Sequence, residues 1–153
     1  MTMAATAALD EASDSKQRLA IRDRIEVLVN QLSLLLSADS VSYSDVTPRI
    51  FPEAPGIYVI CDRAGFVLRA GKTSATLRQR LYQNHLMGSQ DGNLPAQLVG
   101  SGTCTSLSDA KEWIRKNCFV RWLDVGDARE RGFLEHFMLA VLEPKFCDKN
   151  KQD

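Results

Sequence analysis

The sequence predicts a small α/β domain, with a central three-stranded, mainly antiparallel sheet flanked by helices and one further helix at the N-terminus. Three observations support this fold class. Apolar residues near the N-terminus recur at helical spacing, two strand-like segments flank a Gly-containing turn over residues 56–70, and an apolar helical stripe stops at Pro144. With 153 residues, the chain is long enough for one domain with its own core.

The N-terminal part of the chain divides into a tail and a helix. Residues 1–14 are small or acidic with few large apolar side chains, so they are predicted to be disordered. Residues 15–51 are predicted to form a helical extension from Ser15 to about Ser37, followed by a Ser- and Pro-rich connection. The apolar stripe of this helix packs on its own domain or binds a second copy or another protein partner. It consists of Ile21, Ile25, Leu28, Leu32 and Leu35.

Residues 52–150 are predicted to form the main domain, which begins with a β-hairpin. The segment "GIYVIC" (56–61) is β-branched and aromatic, and "FVLRA" (66–70) follows after the turn "DRAG". Thr73 or Ser74 is expected to cap a helix through "TLRQRLYQNHLM". The hairpin followed by a helix forms the first half of the predicted domain.

The second half of the domain contains a loop, two helices and the third strand. Residues 88–103 are predicted to be a polar loop, after which Ser106 or Ser108 caps a helix over "SLSDAKEWIRKN". The segment "CFVRWLDV" (118–125) predicts the third strand. The apolar-striped segment "ARERGFLEHFMLAVL" predicts the last helix, which Pro144 ends.

Charge and composition exclude several classes of protein. The 19 Lys and Arg balance 19 Asp and Glu, so the chain has no global basic character for nucleic acid. A local positive site is still possible, because all five cations of residues 56–108 fall between Arg63 and Arg80. The N-terminal segment lacks the basic region and the apolar run expected of a secretory signal, and no apolar segment approaches the roughly 18 residues of a membrane span. We therefore expect a soluble, cytoplasmic protein with no membrane partner.

The four cysteines do not predict a metal site or a disulfide. Cys61, Cys104, Cys118 and Cys147 are too far apart for a zinc knuckle or a redox dithiol, and only two histidines could assist them. We expect buried or free thiols in a reducing compartment.

The segment "GFVLRAGKT" (65–73) ends like a nucleotide-binding P-loop, but it does not fit that motif. Five residues separate Gly65 from Gly71, whereas the motif has four. The intervening residues are also strand-like, and a phosphate-binding nest needs a flexible backbone whose N–H groups converge. The sequence therefore gives no support for nucleotide triphosphate binding.

The hairpin contains two tripeptides that indicate a different kind of site from a P-loop. Gly56-Ile57-Tyr58 follows Pro55, and Arg69 begins the tripeptide "RAG" eleven residues after Tyr58. The segment is similar to the GIY-YIG nuclease family, with "RAG" where the family has Tyr-Ile-Gly. The resemblance extends over roughly residues 52–150. Its further elements, in order, are Lys72-Thr73, Leu77, Arg80, His85, and Glu135 nine residues before Pro144.

The resemblance implies metal-dependent endonucleolytic cleavage of DNA, with RNA not excluded as substrate. Tyr58 would be the base or the group that positions the water, and Arg80, assisted by Lys72, would bind the phosphate. Glu135 would bind one Mg²⁺ or Mn²⁺, which stabilises the leaving 3′ oxygen. These four residues are the predicted catalytic set.

Three further residues are candidates for contact with nucleic acid: Arg69, Arg78 and His85. His85 is five residues after Arg80, whereas a spacing of four places two residues on one face of an α-helix most directly. Arg69 replaces the second signature tyrosine; it cannot act as a base at neutral pH, but it can bind phosphate. This replacement leaves an alternative open, a catalytically degenerate module that binds nucleic acid or a protein partner without cleaving.

Overall fold

The computed structural model describes residues 3–147 of the chain. The α/β class, the antiparallel sheet and the N-terminal helix are confirmed. The elements in chain order are α1 (Met3–Ser37), β1 (Val41–Ser42), β2 (Gly56–Asp62), β3 (Val67–Thr73), a π-helix (Gln79–Asn84), α2 (Leu94–Gly100), α3 (Leu107–Asn117), β4 (Cys118–Asp124) and α4 (Ala128–Leu142). Two short 3-10 turns, Tyr43–Asp45 and Pro48–Ile50, lie in the connection after β1.

The sheet has four strands, in the order β1-β4-β2-β3, and each neighbouring pair is antiparallel. The predicted count of three strands is therefore corrected. The additional strand has only two residues, Val41 and Ser42, which pair with Val120 and Phe119. A strand of this length shows no alternation in the sequence, so its pattern could not reveal it.

Strand β2 lies between two partners and is covered on both faces. Alternation along the strand places Tyr58 and Ile60 on one face, where the π-helix, α2 and α3 pack. Ile57 and Val59 lie on the opposite face, where α4 and the end of α1 pack. Because both faces are buried, the whole segment "GIYVIC" is apolar or aromatic, as the sequence predicted.

Helix α1 is long, and only its C-terminal part packs on the domain. At 1.5 Å per residue its 35 residues extend about 50 Å. Leu32 and Leu35 are buried against the sheet, whereas Ile21 and Ile25 are 59% and 48% exposed. Packing on its own domain thus accounts for the end of the predicted stripe, and a second copy or partner on the exposed beginning stays a prediction.

The start of α1 also differs from the prediction of a disordered tail over residues 1–14. The helix begins at Met3, so the described part of this segment is helical. This segment is rich in Ala and also contains Met, Leu and Glu, which all have high helix propensity. The helix can therefore extend to Met3 although the segment has few large apolar residues for packing.

The region between the π-helix and α3 contains a helix that the sequence did not predict. Helix α2 lies inside residues 88–103, where a polar loop was expected. It has only seven residues, and Leu94 and Leu98, four apart, are its buried contacts. One such pair is too short a pattern to distinguish a helix from an apolar interruption in a loop.

The boundaries of α3 and α4 follow the predicted signals. Ser106 caps α3 by accepting a hydrogen bond from the backbone N–H of Asp109, which decides between the two predicted caps. Asp127 caps α4 in the same way, and the helix ends at Leu142 before Glu143, whose φ of 45° is left-handed. Pro144 then follows, as predicted.

The cysteines are free thiols, and three of them are buried. Burial raises the pKa of the Cys118 thiol to about 12, so this group stays protonated and acts as a core side chain. In the part of the chain that the structure describes, no helix is both long and apolar enough to cross a membrane.

Candidate active site

A cleft of about 310 Å³ lies at the edge of the sheet, where the end of β3 meets the π-helix and α4. β3 and the residues after it contribute Lys72, Thr73 and Ser74 to its walls. The other walls bring in Arg80 from the π-helix and Glu135 from α4. The cleft thus brings together three of the four predicted catalytic residues, from elements far apart in the sequence.

The fourth predicted catalytic residue, Tyr58, is fully buried behind this cleft. Its partner across the β2–β3 ladder is Gly71, and the phenol ring lies over the glycine. A Cβ atom at Gly71 would be 2.7 Å from the Tyr58 hydroxyl oxygen, which is closer than such atoms approach. The glycine of "RAG" is therefore required by the ring of the first signature.

The Tyr58 hydroxyl belongs to a buried hydrogen-bonded cluster, which we call the phenol cluster (Tyr58, Arg80 and His85). The hydroxyl oxygen is 2.7 Å from His85 Nε2 and accepts a hydrogen bond of 3.2 Å from Arg80 Nε. The backbone N–H of Leu94 donates to His85 Nδ1 at 3.2 Å. In the neutral ring Nδ1 is therefore the acceptor and Nε2 carries the hydrogen, so His85 is a donor to Tyr58.

His85 is held in this neutral form by its surroundings. The residue is fully buried, and burial lowers its pKa well below the ordinary value of 6.5. The positive charges of Arg80 and Arg69 lower the His85 pKa further. The imidazole is therefore neutral at pH 7, consistent with the hydrogen bond from Leu94.

The π-helix explains how Arg80 and His85 reach the same phenol. The backbone N–H of His85 donates to the carbonyl of Arg80 at 3.0 Å, a hydrogen bond over five residues. This wider turn lets His85, five residues after Arg80, reach the same Tyr58 hydroxyl. In a regular α-helix, Asn84, four residues after Arg80, would occupy that position, and only the spacing of five between Arg80 and His85 could have indicated otherwise.

The other side of the cleft contains an ion pair between Lys72 and Glu135. Lys72 points to the α4 face of the sheet, opposite to Tyr58, and its Nζ is 3.5 Å from Glu135 Oε2. The Glu135 side chain is 6% exposed and that of Lys72 is 40% exposed. The carboxylate thus lies at the floor of the cleft, and the ammonium lies between it and solvent.

Two predicted contacts with nucleic acid lie away from the cleft walls. Arg69 pairs with Ile60 on the Tyr58 face of the sheet and is only 2% exposed. Arg78 forms an ion pair with Glu53, and its Nε donates to the carbonyl of Phe51 at 3.2 Å. Arg69 therefore acts on the site through its charge on His85, and Arg78 holds the connection that precedes β2.

Three neutral polar residues line the cleft that the sequence analysis did not select: Ser74, Gln79 and Asn84. They belong to no motif, and their residue types are common on helix surfaces. The π-helix that turns Asn84 toward the cleft leaves no recognised pattern in the sequence. Only the structure identifies them.

Glu135 is the single carboxylate among the described residues that line the cleft. No group of three or more His, Cys, Asp or Glu close enough to hold a metal ion occurs within the described part of the chain. Mg²⁺ commonly takes only one or two protein carboxylates and completes its octahedron with waters and substrate phosphate. The donor set therefore fits a Mg²⁺ that binds together with a phosphate, and it does not fit a closed structural metal site.

No protein-family model matches this chain, and a search of curated proteins finds no match to its sequence. The resemblance to the GIY-YIG family therefore rests on the sequence motifs alone.

Proposed function

We propose that this protein is a metal-dependent endonuclease that hydrolyses phosphodiester bonds of DNA through a GIY-YIG-type site. The observation that carries the proposal is the position of Arg80. Its Nε contacts the buried Tyr58, while the residue lines the same cleft as Lys72 and Glu135. One guanidinium thus joins the phenol cluster to a cleft that contains a second cation and a nearly buried carboxylate.

The two cations are suited to binding a phosphate in this cleft. Arg80 uses Nε for Tyr58, and its terminal nitrogens remain for phosphate oxygens in the bidentate geometry that guanidinium favours. Lys72 adds a second positive charge from the facing wall. During hydrolysis charge grows on the phosphoryl oxygens, and these two groups are placed to stabilise it.

Tyr58 does not reach the cleft surface, and it contacts the cleft residue Arg80 through a hydrogen bond. The phenol has no exposed surface in this state, and its oxygen receives hydrogen bonds from both Arg80 and His85. Because His85 donates through Nε2, it is not the acceptor of a proton from Tyr58. We therefore assign Tyr58 the role of orienting Arg80 through its hydrogen bond to Nε; positioning the attacking water would require Arg80 to release this bond.

Glu135 is the residue that would hold the metal ion. A bound Mg²⁺ or Mn²⁺ supplies Lewis-acid stabilisation of the leaving oxygen. Lys72 lies 3.5 Å from the same carboxylate, so it competes with the metal until a phosphate attracts the ammonium. Substrate and metal are therefore expected to bind together.

A binding-only module is the second candidate function. It is favoured by the buried Arg69 in place of the second signature tyrosine and by the ion pair that neutralises Glu135. A protein of this kind binds DNA, with an affinity that falls steeply with salt, and yields no products.

The test is a cleavage and gel-shift panel with purified protein and Mg²⁺ on duplex, flap, junction and single-stranded DNA. We expect metal-dependent products from the wild type and none from Glu135→Gln. The matched control is Glu130→Gln, on the same helix outside the cleft, which should cleave as the wild type does.

The other possible results of the cleavage and gel-shift panel distinguish the binding-only module from an incorrect site and from an incorrect function. A shift without products identifies the binding-only module, and cleavage that persists in Glu135→Gln contradicts the assigned site. Neither a shift nor products on any substrate contradicts the proposed function.

A further inference from the structure

Half of the cleft wall is neutral and polar. Beside Arg80, Lys72 and Glu135, the cleft presents the hydroxyls of Thr73 and Ser74 and the side-chain amides of Gln79 and Asn84. Among the described residues that line it, none is aromatic. The described lining therefore offers neutral hydrogen-bonding groups in addition to its charged groups, and no aromatic ring on which a base could stack.

The π-helix places the two amides next to Arg80. Gln79 directly precedes Arg80, and Asn84 follows it by four residues. A π-helical turn contains more than four residues, so Asn84 returns almost to the position of Arg80 while His85 completes the turn toward Tyr58. The helix thus turns His85 inward and leaves Asn84 at the cleft.

We infer that Gln79 and Asn84 form a neutral subsite for the sugar and phosphate oxygens that flank the phosphate bound by Arg80. The substrate class that this subsite selects is duplex DNA, recognised through its backbone and independently of sequence. The inference rests on the proposed function, and it extends that function by naming the groups that hold the neighbouring nucleotides.

The chemistry of the lining favours backbone contacts over base contacts. Asn and Gln side chains are common partners of phosphate and sugar oxygens, and such contacts carry no sequence information. Proteins that hold single strands stack the bases on aromatic side chains, and the described lining supplies none. The volume of 310 Å³ is near the lower limit of ligand pockets, which suits a backbone segment.

The alternative is that the amides recognise a base edge. Asn and Gln bind adenine through paired hydrogen bonds in the major groove. This reading requires an adenine near the bound phosphate, so it predicts a dependence on sequence that the backbone subsite does not have.

The experiment measures the Kd of fluorescently labelled DNA by anisotropy, with Ca²⁺ replacing Mg²⁺ to limit hydrolysis. Two duplexes of unrelated sequence and their single strands are the probes, each titrated at several salt concentrations. The variants are Asn84→Ala and Gln79→Ala. Gln83→Ala is the matched control, because Gln83 is exposed on the same π-helix and does not line the cleft.

We expect each of the two amide variants to weaken binding of both duplexes about three- to tenfold, which is the range for a neutral hydrogen bond. The dependence of log Kd on log salt should not change, because no charge is removed, whereas Arg80→Gln should reduce its slope by about one. Single strands should bind more weakly than duplexes, and Gln83→Ala should behave as the wild type.

The outcomes that overturn the inference differ from those that overturn the proposed function. Unchanged binding in both amide variants, a loss confined to one sequence, or single strands bound as tightly as duplexes would each contradict the subsite. If the wild type binds and cleaves DNA in these cases, the proposed function still holds. A wild type that binds none of the probes contradicts both.

Discussion

The two sides of the cleft are built differently, although both belong to one site. The phenol cluster lies inside the protein, where Tyr58 and His85 are fully buried and joined by hydrogen bonds. The Lys72–Glu135 pair connects the floor of the cleft to its opening, and Lys72 Nζ lies 3.5 Å from Glu135 Oε2. The first side is joined by buried hydrogen bonds, and the second contains a contact between charged groups of which the ammonium is 40% exposed.

Because of this difference, residues on the two sides control different properties. A buried donor or acceptor that loses its partner costs free energy of folding, so substitutions in the phenol cluster should lower both stability and activity. The Lys72 ammonium is 40% exposed, so substitutions at Lys72 should act mainly on metal binding and catalysis, whereas the nearly buried Glu135 should also affect stability.

The largest effect is expected at Arg80, which belongs to both sides. Arg80→Gln should lower the rate of DNA cleavage about 10²- to 10³-fold, the usual loss when one group that stabilises the transition-state charge is removed. Arg78→Gln is the matched control, because Arg78 contacts Glu53 and Phe51 away from the cleft. Single-turnover cleavage rates measure both. Equal decreases of the cleavage rate in Arg80→Gln and Arg78→Gln would contradict the proposed role of Arg80 in binding the phosphate.

The close packing of Tyr58 on Gly71 can be tested by adding a methyl group at Gly71 and measuring the stability of the protein. Gly71→Ala places a Cβ atom 2.7 Å from the Tyr58 hydroxyl, so the ring must move within a packed core. We expect the free energy of unfolding in urea to fall by about 1–3 kcal/mol. Gly126→Ala has no atom within 4 Å of the new Cβ and should leave it almost unchanged. Similar values for both variants would contradict the close packing of Tyr58 on Gly71.

The pH dependence of stability reports on His85. Its pKa is lowered in the folded state, so the unfolded chain binds a proton first as the pH falls below about 6.5. The stability of the folded state is therefore fully present above that pH and declines below it. Urea unfolding between pH 7.5 and 5.5 should show a decline about 1 kcal/mol larger for the wild type than for His85→Gln. Parallel curves would mean that His85 titrates normally.

The smallest effect is expected for Lys72, whose substitution should change the affinity for the metal ion. Lys72→Met removes the ammonium that competes for Glu135, so Mn²⁺ should bind about two- to fivefold more tightly to the protein without DNA. Free and bound Mn²⁺ can be measured by electron paramagnetic resonance. Lys116→Met, on an exposed position of α3, is the control. Weaker Mn²⁺ binding in Lys72→Met would show that the lysine supports the metal rather than competing with it.

The parts of the molecule that were predictable are those with a strong repeating pattern. Strand β2 is apolar throughout because it is buried on both faces, and α4 has a cap at Asp127 and a stop at Pro144. Glu135 could be selected because it lies nine residues before Pro144, as in the family that the sequence resembles, and the structure buries it at the cleft floor.

The parts that escaped prediction depend on local geometry that carries no pattern. Strand β1 and helix α2 are too short for a period to develop. The burial of Arg69 depends on which face of β3 it occupies and on what covers that face. The π-helix depends on hydrogen bonds over five residues, such as those from His85 to Arg80 and from Met87 to Tyr82. These features decide the site, because they set which polar groups reach the cleft.

Metal-dependent cleavage at Glu135 is tested by the rate at which the wild type nicks supercoiled plasmid DNA with Mg²⁺, compared with the rate for Glu135→Gln under conditions in which both proteins are folded. We expect nicked circles that require the metal, and a nicking rate at least about 100-fold lower in the variant. A wild type that leaves the plasmid intact under all metal conditions, or a variant that nicks at the same rate, would contradict this expectation.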